Sequence, residues 1–192
     1  MTGLDLDNDV IIEVFCIITN GKLEIMDEDG WGAVIHQSKE RMDQMDEWCT
    51  KTHGETGLTK AVIDSTLTAE EASEQLLKYI RSFVPEKKRA LLAGNSVHAD
   101  KAFLRLEPWR KVHDHFNHRI LDVSAIKEAV RRWSPPDVLA GAPEKKLMHK
   151  AKDDILESIA EARYYKERLF QNPSSAAASI DQEAEEEPQH TL

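Results

Sequence analysis

Two short segments carry the residue types from which hydrolytic chemistry is built. Ala93-Gly-Asn-Ser-Val-His-Ala-Asp100 and His149-Lys-Ala-Lys-Asp-Asp154 each place a carboxylate after a Gly/Ser-rich or His-bearing turn and ahead of an apolar helical pattern. His149 precedes Asp154 by five residues, a spacing that about 3.6 residues per turn leaves on different helix faces. The economical arrangement puts His149 in the loop entering a helix and Asp154 in its first turns. An imidazole able to swing over a carboxylate-held cation suits hydrolysis, because the cation polarises phosphate and the base activates water. The plainer alternative is a surface His beside an acidic pair that complements a helix N-terminus.

Taken together, the segments resemble the oligoribonuclease family of 3′–5′ exonucleases, the His variant of the DEDD superfamily, in its eukaryotic-type spelling. The resemblance covers about residues 1–170. It is carried by Met1-Thr-Gly-Leu-Asp5, by the stretch 45–58 (MDEWCTKTHGETGL), by Ala93–Asp100, by Arg119-Ile-Leu-Asp-Val-Ser124 and by His149–Ser158. The fold it implies is α/β, a ribonuclease H-like mixed sheet flanked by helices. The activity it implies is removal of 5′-mononucleotides from the 3′ end of short RNAs of two to five residues, using Mg²⁺ or Mn²⁺ in a two-metal site. In the family an Asp-x-Glu pair on the first strand runs straight into Met-Thr-Gly-Leu-Asp. The sequence in hand starts at that Met, so the first central strand and both its carboxylates are expected to be missing, and activity to be impaired. Asp5 already matches the Asp after Gly-Leu and is no substitute.

The resemblance assigns roles residue by residue. His149 would be the general base, and Asp100 and Asp154 the remaining metal carboxylates. Leu4 would wedge between bases, Trp48 stack on one, His53 contact the terminal phosphate and Ser96 make a polar substrate contact. His118, Arg119 and Ser124 would reach across a homodimer to the partner's substrate, with His118 standing where the family usually has Tyr. The plainer readings are a core aromatic for Trp48, an unremarkable exposed apolar residue for Leu4, and a solvated loop rather than a zinc site for the cluster His113, His115, His118. A different class of function also fits: a non-catalytic dimeric protein that binds short oligonucleotides.

Composition bounds these readings. At 192 residues with 41% hydrophobic and 31% charged content, the chain suits one soluble domain with a sizeable core. No run approaches the ~18 apolar residues of a membrane helix. Cys16 and Cys49 have neither metal nor disulfide spacing, which favours a reduced compartment. A cytoplasmic or mitochondrial setting is expected, any targeting segment lying ahead of Met1. The net charge of −10 argues against long nucleic acids, which demand a basic stripe. Short single-stranded RNA oligonucleotides need fewer phosphate contacts. Half of that charge comes from Asp181, Glu183, Glu185, Glu186 and Glu187, in a segment 171–192 expected to be a disordered acidic tail behind a domain over 1–170.

The elements that must position these groups are legible in part. Val10–Thr19 reads as a buried strand, Asn20-Gly21 as a hairpin turn into Lys22–Met26, and Trp31–His36 as another strand. Helices are expected near Ser38–Trp48 and Thr50–Gly54. A capping box at Thr68-x-x-Glu71 begins a helix with Ala72, Leu76, Leu77, Ile80 and Phe83 on its apolar face. A strand over Ala90–Ala93, a helix over Asp100–Leu106, a strand over Arg119–Val123 and a helix capped by Ser124 follow. Pro135–Pro143 reads as a loop and Lys150–Phe170 as the last helix.

Overall fold

The computed structural model describes residues 1–144 and 151–170. Of the apolar run from Val10 to Thr19, only Glu13–Cys16 forms a ladder strand (β1). It pairs antiparallel with Trp31–Val34 (β2), Glu13 opposite Val34 and Cys16 opposite Trp31. The Asn20-Gly21 turn is closed by one bridge, Thr19 to Ile25. Lys22–Met26 does not become a strand because the Asn20 side chain takes the amides of Lys22 and Glu24, at 2.9 and 3.0 Å. Leu23 turns there with φ 68°, and amides so engaged cannot serve a ladder.

The polar stretch from Ser38 splits into two helices because it holds two caps. Ser38 accepts from the Arg41 amide ahead of Lys39–Met42 (α1), and Asp46 accepts from the Cys49 amide at 2.7 Å ahead of Glu47–Glu55 (α2). Leu58–Asp64 (α3) was not visible in the periodicity. The capping box is formed as spelled: Thr68 and Glu71 satisfy each other's amides at the start of Ala69–Phe83 (α4). Ala72, Leu76, Leu77 and Ile80 are buried, each large aliphatic contributing roughly 1.5–3 kcal/mol. Phe83 lies off that face, exposed, meeting Tyr79 edge-on at 5.4 Å.

Leu92–Gly94 (β3) pairs in parallel with Ile120–Asp122 (β4). Parallel neighbours require a crossover, supplied here by His98–Phe103 (α5) and Arg110–His113 (α6). Val123–Trp133 (α7) follows β4 directly, and its cap is Asp122, which accepts the Ser124 amide at 3.0 Å. Ser124 is therefore not the cap. The expected loop Pro135–Pro143 contains Pro136–Ala140 (α8), where a Pro in the first turn suits a helix start. Ala151–Phe170 (α9) completes the described chain. The segment read as an acidic tail, 171–192, lies outside the described residues.

The result is a mixed α/β architecture, as the pattern of elements indicated. One core cluster joins Ile35, Ile80, Phe103 and Val112 between the strands, α4, α5 and α6. A second seats α1–α3 through Met42, Cys49 and Val62, and a third holds α7–α9 through Val130, Val138 and Tyr165. Among the described residues, β1–β2 and β3–β4 share no ladder. A cavity of about 520 Å³ lies where they would meet, walled by Val14 and Cys16 of β1 and by Leu92 and Gly94 of β3.

Candidate active site

Asp100 stands in the first turn of α5 and Asp154 in the first turn of α9. Both line the cavity between the sheets. The two carboxylates therefore come from two helix starts that are far apart in sequence. Glu13 of β1 lines the same cavity. Desolvation pushes its carboxyl up from the usual range, and Asp154 adds to that while the Met1 amino group partly offsets it. Desolvation likewise raises Asp100, against the opposing pull of Met1 and His98, even though solvent reaches its side chain. Three carboxylates thus line one space, with the Met1 amino group beside them.

The two helices are held in register by a buried network. Glu161 on α9 is 1% exposed. It accepts from Asn95 Nδ2 at 3.1 Å, pairs with Lys127 Nζ at 3.0 Å and accepts from the Tyr165 hydroxyl at 3.3 Å. Asn95 and Ser96 form the turn between β3 and α5. Ser96, at φ 53°, is pinned there by its amide donating to Asp122 Oδ1 and Ser124 Oγ, both at 3.0 Å. Non-glycine residues rarely hold such a φ without support of this kind.

The other sequence-derived residues fall in three places. Leu4 is 74% and Trp48 64% exposed, so Trp48 is not a core aromatic. His53 Nε2 on α2 donates to the Met1 carbonyl at 3.0 Å, which ties α2 to the segment bordering the cavity. Leu4, Trp48, His53 and Ser96 do not themselves line it. His118 and Arg119 are exposed ahead of β4, with the Arg119 amide bonded to Asn117 Oδ1 at 3.0 Å. Ser124 is engaged within its own chain by Asn95 and Ser96. Of the three-His cluster, His115 is fully buried and bonded to the Val84 carbonyl at 2.8 Å, facing away from its neighbours. His149 lies outside the described residues.

Glu13, Asn95 and Glu161 were missed in the sequence. Glu13 carried a signal: it is the one charged residue within the apolar run VIIEVFCIIT, and a buried charge asks for a partner. Asn95 and Glu161 carried none, because only the tertiary fold brings them together.

The donor set bears on metal binding. Asp100, Asp154 and Glu13 are hard oxygen ligands, suited to Mg²⁺ or Mn²⁺. Yet among the described residues no group of three or more His, Cys, Asp or Glu side chains stands close enough to hold an ion jointly. Among the described residues, Asp100 and Asp154 are the sequence-derived carboxylates that share the cavity, and their oxygen chemistry suits a hard, water-rich cation. Cys16, also in the cavity wall, has its thiol pushed up to about 12 by burial, so it stays protonated and is not a nucleophile.

Comparison with known proteins matches residues 1–162 to the exonuclease family RNase_T. The chain is 45% identical over 172 residues to the mitochondrial oligoribonuclease of Mus musculus, covering 88% of this chain and 70% of that protein. It is 45% identical over 166 residues to a probable oligoribonuclease of Schizosaccharomyces pombe, covering 86% of this chain and 64% of that one. The oligoribonuclease of Neisseria meningitidis serogroup A is 43% identical over 178 residues, covering 93% and 92%. The chain therefore spans about two thirds of the length of these eukaryotic relatives and nearly all of the bacterial one.

Proposed function

Because the chain belongs to the oligoribonuclease family of ribonuclease H-like exonucleases, we propose that it acts on short single-stranded RNA, releasing 5′-mononucleotides from the 3′ end. The observation that carries this reading is the shared cavity: Asp100 and Asp154, drawn from distant parts of the chain, line one space. A bound divalent cation, Mg²⁺ or Mn²⁺, supplies a polarised phosphoryl oxygen and a more acidic water there. Asp100 and Asp154, at two helix starts, would hold that cation, and His149 would serve as the base for the attacking water. Trp48 offers an exposed face on which a base stacks, with Leu4 beside the base plane, while His53 and Ser96 meet the phosphates and sugar edge. His118, Arg119 and Ser124 are the candidates for contact with the 5′ end across a homodimer. Of the last three, Ser124 would have to release its bonds to Asn95 and Ser96 to reach a partner.

The test is hydrolysis of a 5′-phosphorylated diribonucleotide with Mg²⁺ or Mn²⁺, followed by product analysis. Release of 5′-mononucleotide, abolished by Asp154→Asn, is the expected result. Affinity that climbs steadily up to 20-mers would point instead to a general single-strand binder.

A second reading has its own observation. Trp48 and Leu4 are exposed. A dimeric protein that binds short oligonucleotides without cleaving them needs no more than such a stacking surface. In either case the setting is cytoplasmic or mitochondrial, and no described helix is long and apolar enough to cross a membrane.

A further inference from the structure

Helix α5, with the residues that flank it from Val97 to Arg105, has two chemically opposite faces. Val97, Asp100, Phe103 and Leu104 look into the carboxylate cavity. His98, Lys101, Ala102 and Arg105 follow the i, i+3, i+4, i+7 spacing of a helix face and look the other way. They wall a second cavity, of about 400 Å³, against Lys88 and the segment from His113 to Ile120. Three permanent cations (Lys88, Lys101, Arg105) and three imidazoles (His98, His113, His118) line it, and among the described residues no carboxylate does. This concentration sits in a chain whose net charge is −10.

Its cations differ from many others in the protein. Lys39, Lys60, Lys127 and Arg168 each pair with a carboxylate. Among the described residues, Lys88, Lys101 and Arg105 have none within ion-pair distance. Two carboxylates contact its imidazoles, Asp114 on His113 at 3.1 Å and Asp122 on His98 at 3.3 Å, and Asp114 also feels the charge of Lys88. Three like charges converging in a concave space repel one another, and a bound anion relieves that.

The cleft is also built rather than incidental. Lys101 Nζ donates to the His118 carbonyl, which holds the ammonium against the facing wall of the cavity. Lys88 holds a left-handed φ of 66°, unusual for a residue with a side chain. Its amide donates to the His115 carbonyl at 2.7 Å, and its carbonyl accepts from Asn117 Nδ2 at 2.7 Å. Asn117 in turn donates its amide to the Ala90 carbonyl at 2.8 Å. Strained backbone held by converging bonds is a recurrent mark of ligand clamps. Phe116 and Ile120 give the cavity an apolar floor.

We propose that this cleft is a phosphate-binding site, separate from the carboxylate cavity, that takes the phosphate group of a nucleotide or of an RNA strand. Ammonium groups hold a phosphate as point charges, the guanidinium of Arg105 offers a planar fork, and imidazole N–H groups complete the oxygens. The volume matches a small ligand. The phosphate chemistry follows from the cleft itself; only the nucleoside carrier rests on the reading of this chain as a short-RNA protein.

The experiment is titration of the 192-residue protein, free of divalent metal, with inorganic phosphate, adenosine 5′-monophosphate, 5′-phosphorylated diadenylate and hexaadenylate. Backbone amide shifts locate binding and calorimetry gives affinity. Expected are shifts at Lys88, Lys101 and Asn117, with affinity falling at least tenfold in Arg105→Glu and in Lys101→Ala/Arg105→Ala. Lys60→Glu, on an exposed face of α3, makes the same change of net charge as Arg105→Glu and leaves affinity within twofold. Hexaadenylate binding more than tenfold tighter than the monophosphate, with a steeper salt dependence, assigns the site to an RNA backbone. Equal affinities assign it to a terminal phosphate. Equal effects of Arg105→Glu and Lys60→Glu, shifts confined to the Asp100 and Asp154 side of α5, or no binding at millimolar phosphate ester overturn the proposal. Diribonucleotide hydrolysis with Mn²⁺ is measured on the same samples. Hydrolysis without Arg105-dependent binding sinks the cleft and leaves the function standing, and the reverse result does the opposite.

Discussion

Asn95 and Glu161 lie 66 residues apart in sequence and meet through one hydrogen bond, Asn95 Nδ2 to Glu161 Oε2 at 3.1 Å. That contact joins the turn leading into α5 to the middle of α9, the two helices whose first turns carry Asp100 and Asp154. Glu161 is almost fully buried, so the network around it sets the spacing of the two carboxylates from behind.

Glu161→Ala is expected to lower unfolding free energy by about 2–4 kcal/mol, since it strands Lys127 and Asn95 in protein surroundings. Glu161→Gln keeps the bond to Asn95 but loses the ion pair, so it should cost less. Urea unfolding of both variants checks the order. A loss below about 0.5 kcal/mol for the Ala variant would show that the network carries no weight.

A pH-dependent contribution is expected from Asp9. Burial alone would raise its carboxyl, but hydrogen bonds from Thr2 and the Asp5 amide, and then the Arg41 guanidinium, hold it below 3.8. A folded value below the unfolded one adds stability that is fully present above the unfolded value and fades as pH falls through the folded one. Asp9→Asn should therefore destabilise the protein at neutral pH, by about 1–2 kcal/mol, and the difference should shrink in acid below 3.8. A constant difference across that range would contradict the assignment. The knot matters because Thr2 Oγ1 donates to Asp9 at 2.8 Å and accepts from Arg41 at 2.9 Å, which anchors the segment bearing Leu4.

Exposure of Trp48 makes it testable without catalysis. Trp48→Ala is expected to weaken dinucleotide binding by about 1–3 kcal/mol, the usual worth of one base–aromatic stack, with little change in stability. Fluorescence titration measures the first and thermal melting the second. Unchanged affinity with a lowered Tm would make it a packing residue after all.

What could be read from sequence followed from how local the determinants were. The capping box at Thr68 and Glu71 and the apolar stripe through Ile80 depend on residues within a few turns, and both formed as read. The strand expected from Val10 to Thr19 shortened to Glu13–Cys16 because a strand needs a partner, and β2 supplies one only there. α8 was read as a loop from its prolines, although Pro136 sits where a helix tolerates one. Asp100 and Asp154 were placed in first turns from local pattern and do share a cavity. Glu161 and the basic cleft were out of reach, since Asn95, Lys127, Lys88 and Arg105 come together only through packing.

The cavity between β1 and β3 is the feature most open to direct manipulation. Among the described residues both flanking strands belong to two-stranded sheets, its walls are largely apolar, and Met1 lies in its lining. Residues joined ahead of Met1 are therefore expected to enter this space. An added apolar strand would bury side chains worth roughly 1.5–3 kcal/mol each, against an ordering cost of about 1–2 kcal/mol per residue, and would complete ladder bonds on both edges. An N-terminal extension bearing such a strand with an Asp-x-Glu pair is expected to raise Tm by several degrees. It should also increase Mn²⁺ affinity and diribonucleotide hydrolysis over the 192-residue chain, because two more carboxylates would face Asp100 and Asp154. An Asn-x-Gln version should keep the gain in Tm and lose the gain in hydrolysis, while a Gly/Ser extension of equal length should give neither. Equal melting of all three extensions would mean that the space does not accept a strand, and equal hydrolysis by the first two would mean that the added carboxylates do not reach the site.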